Sequence, residues 1–182
     1  MLKVQLSRET LLPAMAAHVL EHGLGGASLR PLAKAAGTSD RMLIYHFGNK
    51  ETLITELLNY IAAIYSAGLD AALGSDRPTT RQECLARILD QTSNPAMQAF
   101  LVLWWDIVAG AARGVPGYRE AAGQMMTKQL AWLEQQMPAD DPDPAGGARY
   151  LMTVIEGALM LGTVGHGDTA REGLLASGLA SS

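Results

Sequence analysis

Only one cysteine, Cys84, occurs in 182 residues, which excludes a disulfide framework within the chain and any cysteine-based metal cluster. Its expected role is that of a small buried hydrophobe on a helix. Aromatic residues are scarce, at 5%, while Ala, Leu and Met dominate, and that balance favours helices over sheet. The four histidines are dispersed. His18 and Glu21 stand one turn apart, but two ligands are too few for a metal. No Ser/His/Asp or Cys/His arrangement and no phosphate loop is present, which speaks against a small helical enzyme. Neither a metal nor a cofactor is expected. The most hydrophobic runs, residues 99–112 and 151–164, are too short for a bilayer and carry Asp106 and Glu156. The N-terminus has no secretory pattern. A cytoplasmic chain without a membrane partner is the expectation.

What is present is a well-populated core composition: 48% hydrophobic and 18% charged residues, enough for one sizeable core or a small head on a larger body. The net charge of −4 argues against nucleic acid until the chain is divided. Within residues 1–50, Lys3, Arg8, Arg30, Lys34, Arg41 and Lys50 face only Glu9, Glu21 and Asp40. That portion carries +3 and the remainder −7. A basic head on an acidic body is the asymmetry expected when only the head meets phosphate.

The head centres on residues 28–50, SLRPLAKAAGTSDRMLIYHFGNK. Ser28 is placed to cap a helix, and Pro31 falls in its first turn, where a missing N–H costs nothing. Leu29, Leu32, Ala33, Ala35 and Ala36 form a small-sided apolar stripe. Gly37 supplies a left-handed end. Thr38 or Ser39 caps a second helix, residues 40–46, which Gly48 stops while Asn49 caps a third. Two short helices joined by a Gly-containing turn are the helix-turn-helix pattern, whose second helix enters the major groove of DNA.

Leu32-Ala33, Ala36-Gly37, Ser39, Leu43, His46-Phe47, Lys50, Leu53 and Leu57-Leu58 together resemble the DNA-binding module of the tetracycline-repressor (TetR) family of bacterial transcription regulators. The resemblance spans about fifty residues, 11–58, and rests on residue types and spacing agreeing together. The family usually has a phosphate-contacting Tyr two residues before the His-Phe pair. This chain has Ile44 there, with Tyr45 beside it as a substitute.

Around that module the pattern is helical throughout, with about nine helices in all. Helix 1 begins at Ser7 or Thr10, and Pro13 fits best with the later start; Leu11, Leu12, Met15, Val19 and Leu20 line one face. The arm before it, residues 1–6, has only Lys3 as a charge. A fourth helix over 50–73 carries an apolar stripe from Leu53 to Leu69 beyond the head. Helices follow over 80–91, 96–113, 118–137 and 145–164, with a last short one capped by Asp168. The helix over 96–113 is apolar nearly all round and is expected at the centre of the body. Turns fall at 74–79, 114–117 and the acidic, Pro-rich 138–144. The division expected is a helix-turn-helix DNA-binding domain, 1–50, and a domain for ligand binding and dimerisation, 51–182, linked by the 50–73 helix. The fold class is all-α.

On the recognition helix Leu43 and Phe47 face inward, leaving Ser39, Asp40, Arg41, Met42 and Tyr45 outward. Arg41 can bond guanine N7 and O6 together. Asp40 can accept from cytosine N4 or orient Arg41, the second being favoured. Thr38, Ser39, Tyr45, His46 and Lys50 are placed for phosphates, with Lys50 and the start of the fourth helix as an anion site. Ser28 and Arg30 lie at the flanking backbone. One head offers few phosphate contacts, so a homodimer on a pseudo-palindromic operator in double-stranded DNA is expected.

The resemblance further implies that the body binds a small-molecule effector between its middle helices, weakening DNA binding, and that the last two helices of two copies form a four-helix bundle. Candidate ligand-site residues are Tyr65, Met97, Phe100, Leu101, Trp104, Trp105, Tyr118, Met125, Met126, Gln129, Met152 and Glu156. The Met-rich walls suit a hydrophobic effector, with a few polar groups fixing orientation. The protein so read is a ligand-responsive regulator, most readily a repressor. The competing possibility is an all-α dimeric interaction or ligand-binding module without specific DNA binding, to which Ile44 and Asp40 lend support.

Overall fold

Ser7 opens the first helix with a reciprocal cap: its side chain accepts from the Thr10 N–H while the Thr10 hydroxyl accepts from the Ser7 N–H. α1 therefore runs Arg8–His22, and Pro13 lies inside it, not at its first turn. The capping box outweighs the one interior hydrogen bond that proline cannot donate, so the later start at Thr10 is corrected. The computed structural model describes residues 6–74 and 76–179. Except for Leu6, the sparsely charged arm falls outside them, as do Ser181 and Ser182.

Among the described residues there are nine α-helices and no strand. After α1 and a short 3-10 turn, Leu24–Gly26, come α2, Leu29–Ala35, and α3, Asp40–Phe47. They are followed by α4, Lys50–Leu73; α5, Arg81–Thr92; α6, Pro95–Ala112; α7, Tyr118–Gln136; α8, Pro144–Thr163; and α9, Gly167–Ala176. The 3-10 turn has no counterpart in the sequence reading. α9 is capped at His166, so Asp168 sits in its first turn instead of at its cap.

By packing, the described residues belong to two units, Met1–Ala67 with Pro95–Met126, and Gly68–Asn94 with Thr127–Ser182. In the first, Leu11, Met15, Val19, Leu32, Leu43, Phe47, Leu53, Leu57, Leu58 and Ile61 share one core with Leu103, Ile107 and Ala121. α6 thus contributes an inward face to the same core as the helix-turn-helix. It is not buried all round: Val102 is 58% exposed, so its near-uniform apolarity overstated its burial. Among the described residues, α4 is by length and composition apolar enough to cross a membrane over Lys50–Ala71, and Arg81–Thr92 with Met97–Ala112 passes only as a pair bent by 95°. Its Leu53, Leu57, Leu58 and Ile61 are instead core residues of the first unit.

In the second unit α5 packs on α8, and α9 lies along α8. The acidic loop before α8 is organised by one arginine. Arg81 Nε and Nη2 donate to the two carboxylate oxygens of Asp141 at 2.7 and 2.6 Å, and Nη2 also reaches the Asp143 carbonyl at 3.0 Å. Asp143 in turn caps α8 by accepting from the Gly146 N–H. Gly147 lets Arg81 lie this close, since a Cβ there would meet the guanidinium carbon at 2.8 Å.

The bond from Arg81 holds the Asp141 carboxyl down at about 2, and Thr79 with Arg87 holds Glu83 at about 2 as well. Both groups titrate near 4 when unfolded. Their contribution to stability is therefore complete above about pH 5 and is lost as pH falls toward about 2. Thermal melts followed by circular dichroism should show Tm falling across that window. The Asp141→Asn variant should start lower at neutral pH and fall less steeply through it. Burial pushes the Cys84 thiol up to about 11, in keeping with an unreactive packing residue.

Candidate nucleic-acid interface

α2 ends in a Schellman arrangement. Gly37, at φ +63°, donates to the Lys34 carbonyl, and Thr38 donates to Ala33. The turn is tight because its one left-handed position is glycine. Ser28 occupies the cap position of α2, yet its side chain makes no capping bond. Ser39 does cap α3, accepting from the Met42 N–H at 3.3 Å, and Asn49 accepts from Thr52 at 2.7 Å to start α4. Gly48, at φ +85°, closes α3.

The cap and the end fix where α3 starts and stops; its buried side chains fix which way it faces. Leu43 and Phe47 are 0% and 1% exposed, and the opposite side carries Tyr45 at 77%. Ser28, Arg30, Ser39, Asp40, Arg41 and Lys50 are exposed too, and Thr38, Met42 and His46 are half-buried. Among the described residues Arg30, Arg41 and Lys50 enter no ion pair, so their charge is not already spent.

Two expectations change. No Asp40–Arg41 ion pair is present among the described residues, so Asp40 does not orient Arg41; placed in the first turn of α3, it complements that helix's positive end. The Nε2 atom of His46 is buried and has no hydrogen-bond partner. That atom faces the interior of the head, which leaves only the other ring nitrogen for a phosphate.

Sequence reasoning missed two side chains that hold the head. Arg8 Nε donates to the His46 carbonyl at 2.6 Å, and its Nη1 pairs with Glu56 at 2.6 Å. Asp106 on α6 accepts from the Leu24 N–H, at 3.4 Å, where the 3-10 turn begins. Its partner is thus the backbone joining α1 to α2, and Gly23 beside it leaves room, a Cβ there coming within 3.2 Å of the carboxylate. Chain separations of 38, 48 and 82 residues hide such pairs from any reading of local pattern.

Of the candidate ligand residues, nine belong to the first unit. Tyr65 packs its ring at 5.3 Å from Phe100. Phe100, Tyr118 and Met125 pack against the core, and Met97, Leu101, Trp104, Trp105 and Met126 are half-buried. Tyr118 lies over Gly110, where a Cβ would come within 2.1 Å of its ring. Burial, with Asp106 nearby, raises the phenol's pKa, so it stays a neutral hydrogen-bond donor. Gln129, Met152 and Glu156 belong to the second unit, Met152 within its core. A crevice in that unit, lined by Leu73, Asp76, Pro78, Cys84, Arg87 and Gln136, includes none of the twelve.

Residues 14–57 match the family model described as bacterial regulatory proteins, tetR family. The chain is 38% identical over 148 residues to the HTH-type transcriptional regulatory protein RaaS of Mycobacterium tuberculosis. That match covers 77% of this chain, which spans 63% of the relative's length. A solved structure of a candidate transcriptional regulator from Streptomyces coelicolor is 30% identical, with a TM-score of 0.66 and 84% of each chain covered. The fold is also shared with a multidrug binding protein, EbrR, solved with proflavin, at 20% identity and a TM-score of 0.68 over 93% of this chain and 98% of that one.

Proposed function

The chain belongs to the TetR family of bacterial regulatory proteins, and from that premise we propose that it is a cytoplasmic repressor that binds a pseudo-palindromic operator as a homodimer and is released by a hydrophobic small molecule. The observation that carries the DNA reading is the outward face of α3, where Arg41 and Tyr45 stand exposed, together with the exposed cations Arg30 and Lys50, which enter no ion pair among the described residues. Arg41 would read a guanine, while Ser28, Arg30, Thr38, Ser39, Tyr45, His46 and Lys50 would hold the backbone. The functional division would fall at residue 50, with 51–182 serving ligand and partner.

Dimerisation would use α8 and α9. Met160 and Val164 are 52% and 65% exposed in the single chain, Tyr150 is open too, and a Cβ at Gly157 or Gly162 would meet nothing within 4 Å. A face at once apolar and smooth is suited to close approach by a second copy.

For the effector, the half-buried Met97, Trp104 and Trp105 on α6, with Phe100 and Tyr65, offer adaptable apolar surface, and Tyr118 offers a hydroxyl. The bound proflavin of EbrR is an aromatic ligand in a chain of the same fold. Linkage requires that the effector favour a geometry in which the heads no longer fit the operator. α6 supports such a link, because the helix bearing these residues is bonded through Asp106 to the turn between α1 and α2.

Selection from a random pool of duplex DNA tests the reading. The pool should become enriched in a two-fold-related sequence with half-sites about one helical turn, or a multiple of it, apart. Recovery of unenriched DNA would reject it.

A further inference from the structure

We propose that Arg8 and Glu56 are positioning residues for DNA recognition, a clamp that sets the pose of the recognition helix without touching DNA. The inference rests on the DNA-binding reading and names what aligns that site. Arg8 lies in the first turn of α1 and engages three neighbours at once. Its Nε donates to the His46 carbonyl and its Nη1 to Glu56 Oε1, both at 2.6 Å, while its guanidinium carbon lies 5.6 Å from the centre of the Phe47 ring. The His46 carbonyl is one of the last four of α3, which no N–H within the helix can satisfy. A cation at that end also complements the helix dipole. Glu56, on the second turn of α4, anchors the guanidinium from the other side.

The remaining restraints on α3 leave a degree of freedom that this clamp removes. Leu43 and Phe47 hold the helix by apolar packing, which is non-directional. Ser39 fixes only its N-terminal end. The charge-assisted bonds from Arg8 are directional and act at the opposite end, one residue beyond Tyr45 and within two turns of Arg41. The Arg8 and Glu56 side chains are 51% and 29% exposed, so the pair contributes little to stability. Its effect falls on where Arg41 and Tyr45 sit in the groove.

The test uses the full chain and the variants Arg8→Ala, Arg8→Lys and Glu56→Gln, with two readouts. Amide hydrogen exchange without DNA should quicken over residues 45–48 in Arg8→Ala and Glu56→Gln, while the core of α6 keeps wild-type protection. Unchanged exchange over 45–48 would overturn the clamp whatever the DNA result. Binding to the selected operator and to random duplex DNA is then titrated across salt. Arg8→Ala and Glu56→Gln should each lose roughly tenfold in operator affinity, with random-DNA affinity and salt slope unchanged. Arg8→Lys should behave like Arg8→Ala, because an ammonium lacks the forked donors. Three results would overturn the proposal. The salt slope could fall by about one in Arg8→Ala, marking a direct phosphate contact. Glu56→Gln could bind more tightly, as simple removal of a negative charge predicts. Arg8→Lys could restore full affinity, as charge alone would. A wild type without any sequence preference would sink the regulator reading alone, and the exchange experiment would still decide the clamp.

Discussion

Replacing Phe47 by alanine is expected to cost about 3–5 kcal/mol of stability, the range for truncating a buried aromatic. Phe47 is 1% exposed and sits where α3 meets the shared core of α1, α4 and α6. The variant also loses the ring beneath the Arg8 guanidinium, leaving Leu43 as the buried side chain that holds the recognition helix. Urea denaturation should show the transition moving to lower denaturant. Operator binding should disappear before the melt is complete, because α3 has eight residues and cannot hold itself helical without tertiary contacts. A variant with wild-type stability would mean that Phe47 is not the anchor its burial implies.

Arg41→Ala is the functional counterpart, expected to leave the fold untouched and remove the choice of sequence. Arg41 is exposed and makes no ion pair among the described residues, so truncation breaks no salt bridge there. A bidentate contact to guanine is worth about 1–3 kcal/mol of discrimination for each half-site, roughly 5- to 150-fold. Two half-sites in a symmetric dimer compound the loss. Competition of operator against random duplex DNA should therefore show the ratio collapsing toward unity in Arg41→Ala, with the melting curve and sedimentation of the protein unchanged. If the variant still selects the wild-type operator, base reading lies elsewhere, with Tyr45 and Met42 the nearest alternatives on the same face.

Local chemistry made much of this fold legible in advance. Ser39 and Asn49 cap α3 and α4, and Gly37 and Gly48 take the positive φ angles that follow α2 and α3. These effects act within four residues, so the amino-acid order alone reveals them. Leu43 and Phe47 could be assigned inward, and Arg41 and Tyr45 outward, because spacing on a helix decides its faces. The start of α1 was harder. A proline at position 13 argues for a late start, while the Ser7–Thr10 box argues for an early one, and only the weights of the two effects settle it. Asp40 does not pair with Arg41 because adjacent residues on a helix do not face each other, and its place in the first turn of α3 accounts for its charge.

Long-range polar pairs were illegible. Arg8 with Glu56, Asp106 with the Leu24 N–H, and Arg81 with Asp141 join residues 48, 82 and 60 apart. Each ties one helix to another segment, and none leaves a periodic trace. The apolar excess of α6 and α8 is equally ambiguous in the sequence alone. Part of it is core, as Leu103 and Ile107 show, and part lies open, as Val102, Met160 and Val164 show. A helix that keeps apolar residues on its open side points to surface reserved for a partner or a ligand, which is where the proposed dimer and effector enter.

The most direct test is a binding titration of the chain on the duplex DNA upstream of its own gene, beside a scrambled duplex of equal length, at several salt concentrations. A regulator with the head seen here should bind the upstream DNA at least about a thousandfold more tightly than the scrambled one. Both affinities should fall steeply and log-linearly with salt. Equal affinity for the two, or a response flat in salt, would contradict a DNA-reading function for this helix-turn-helix.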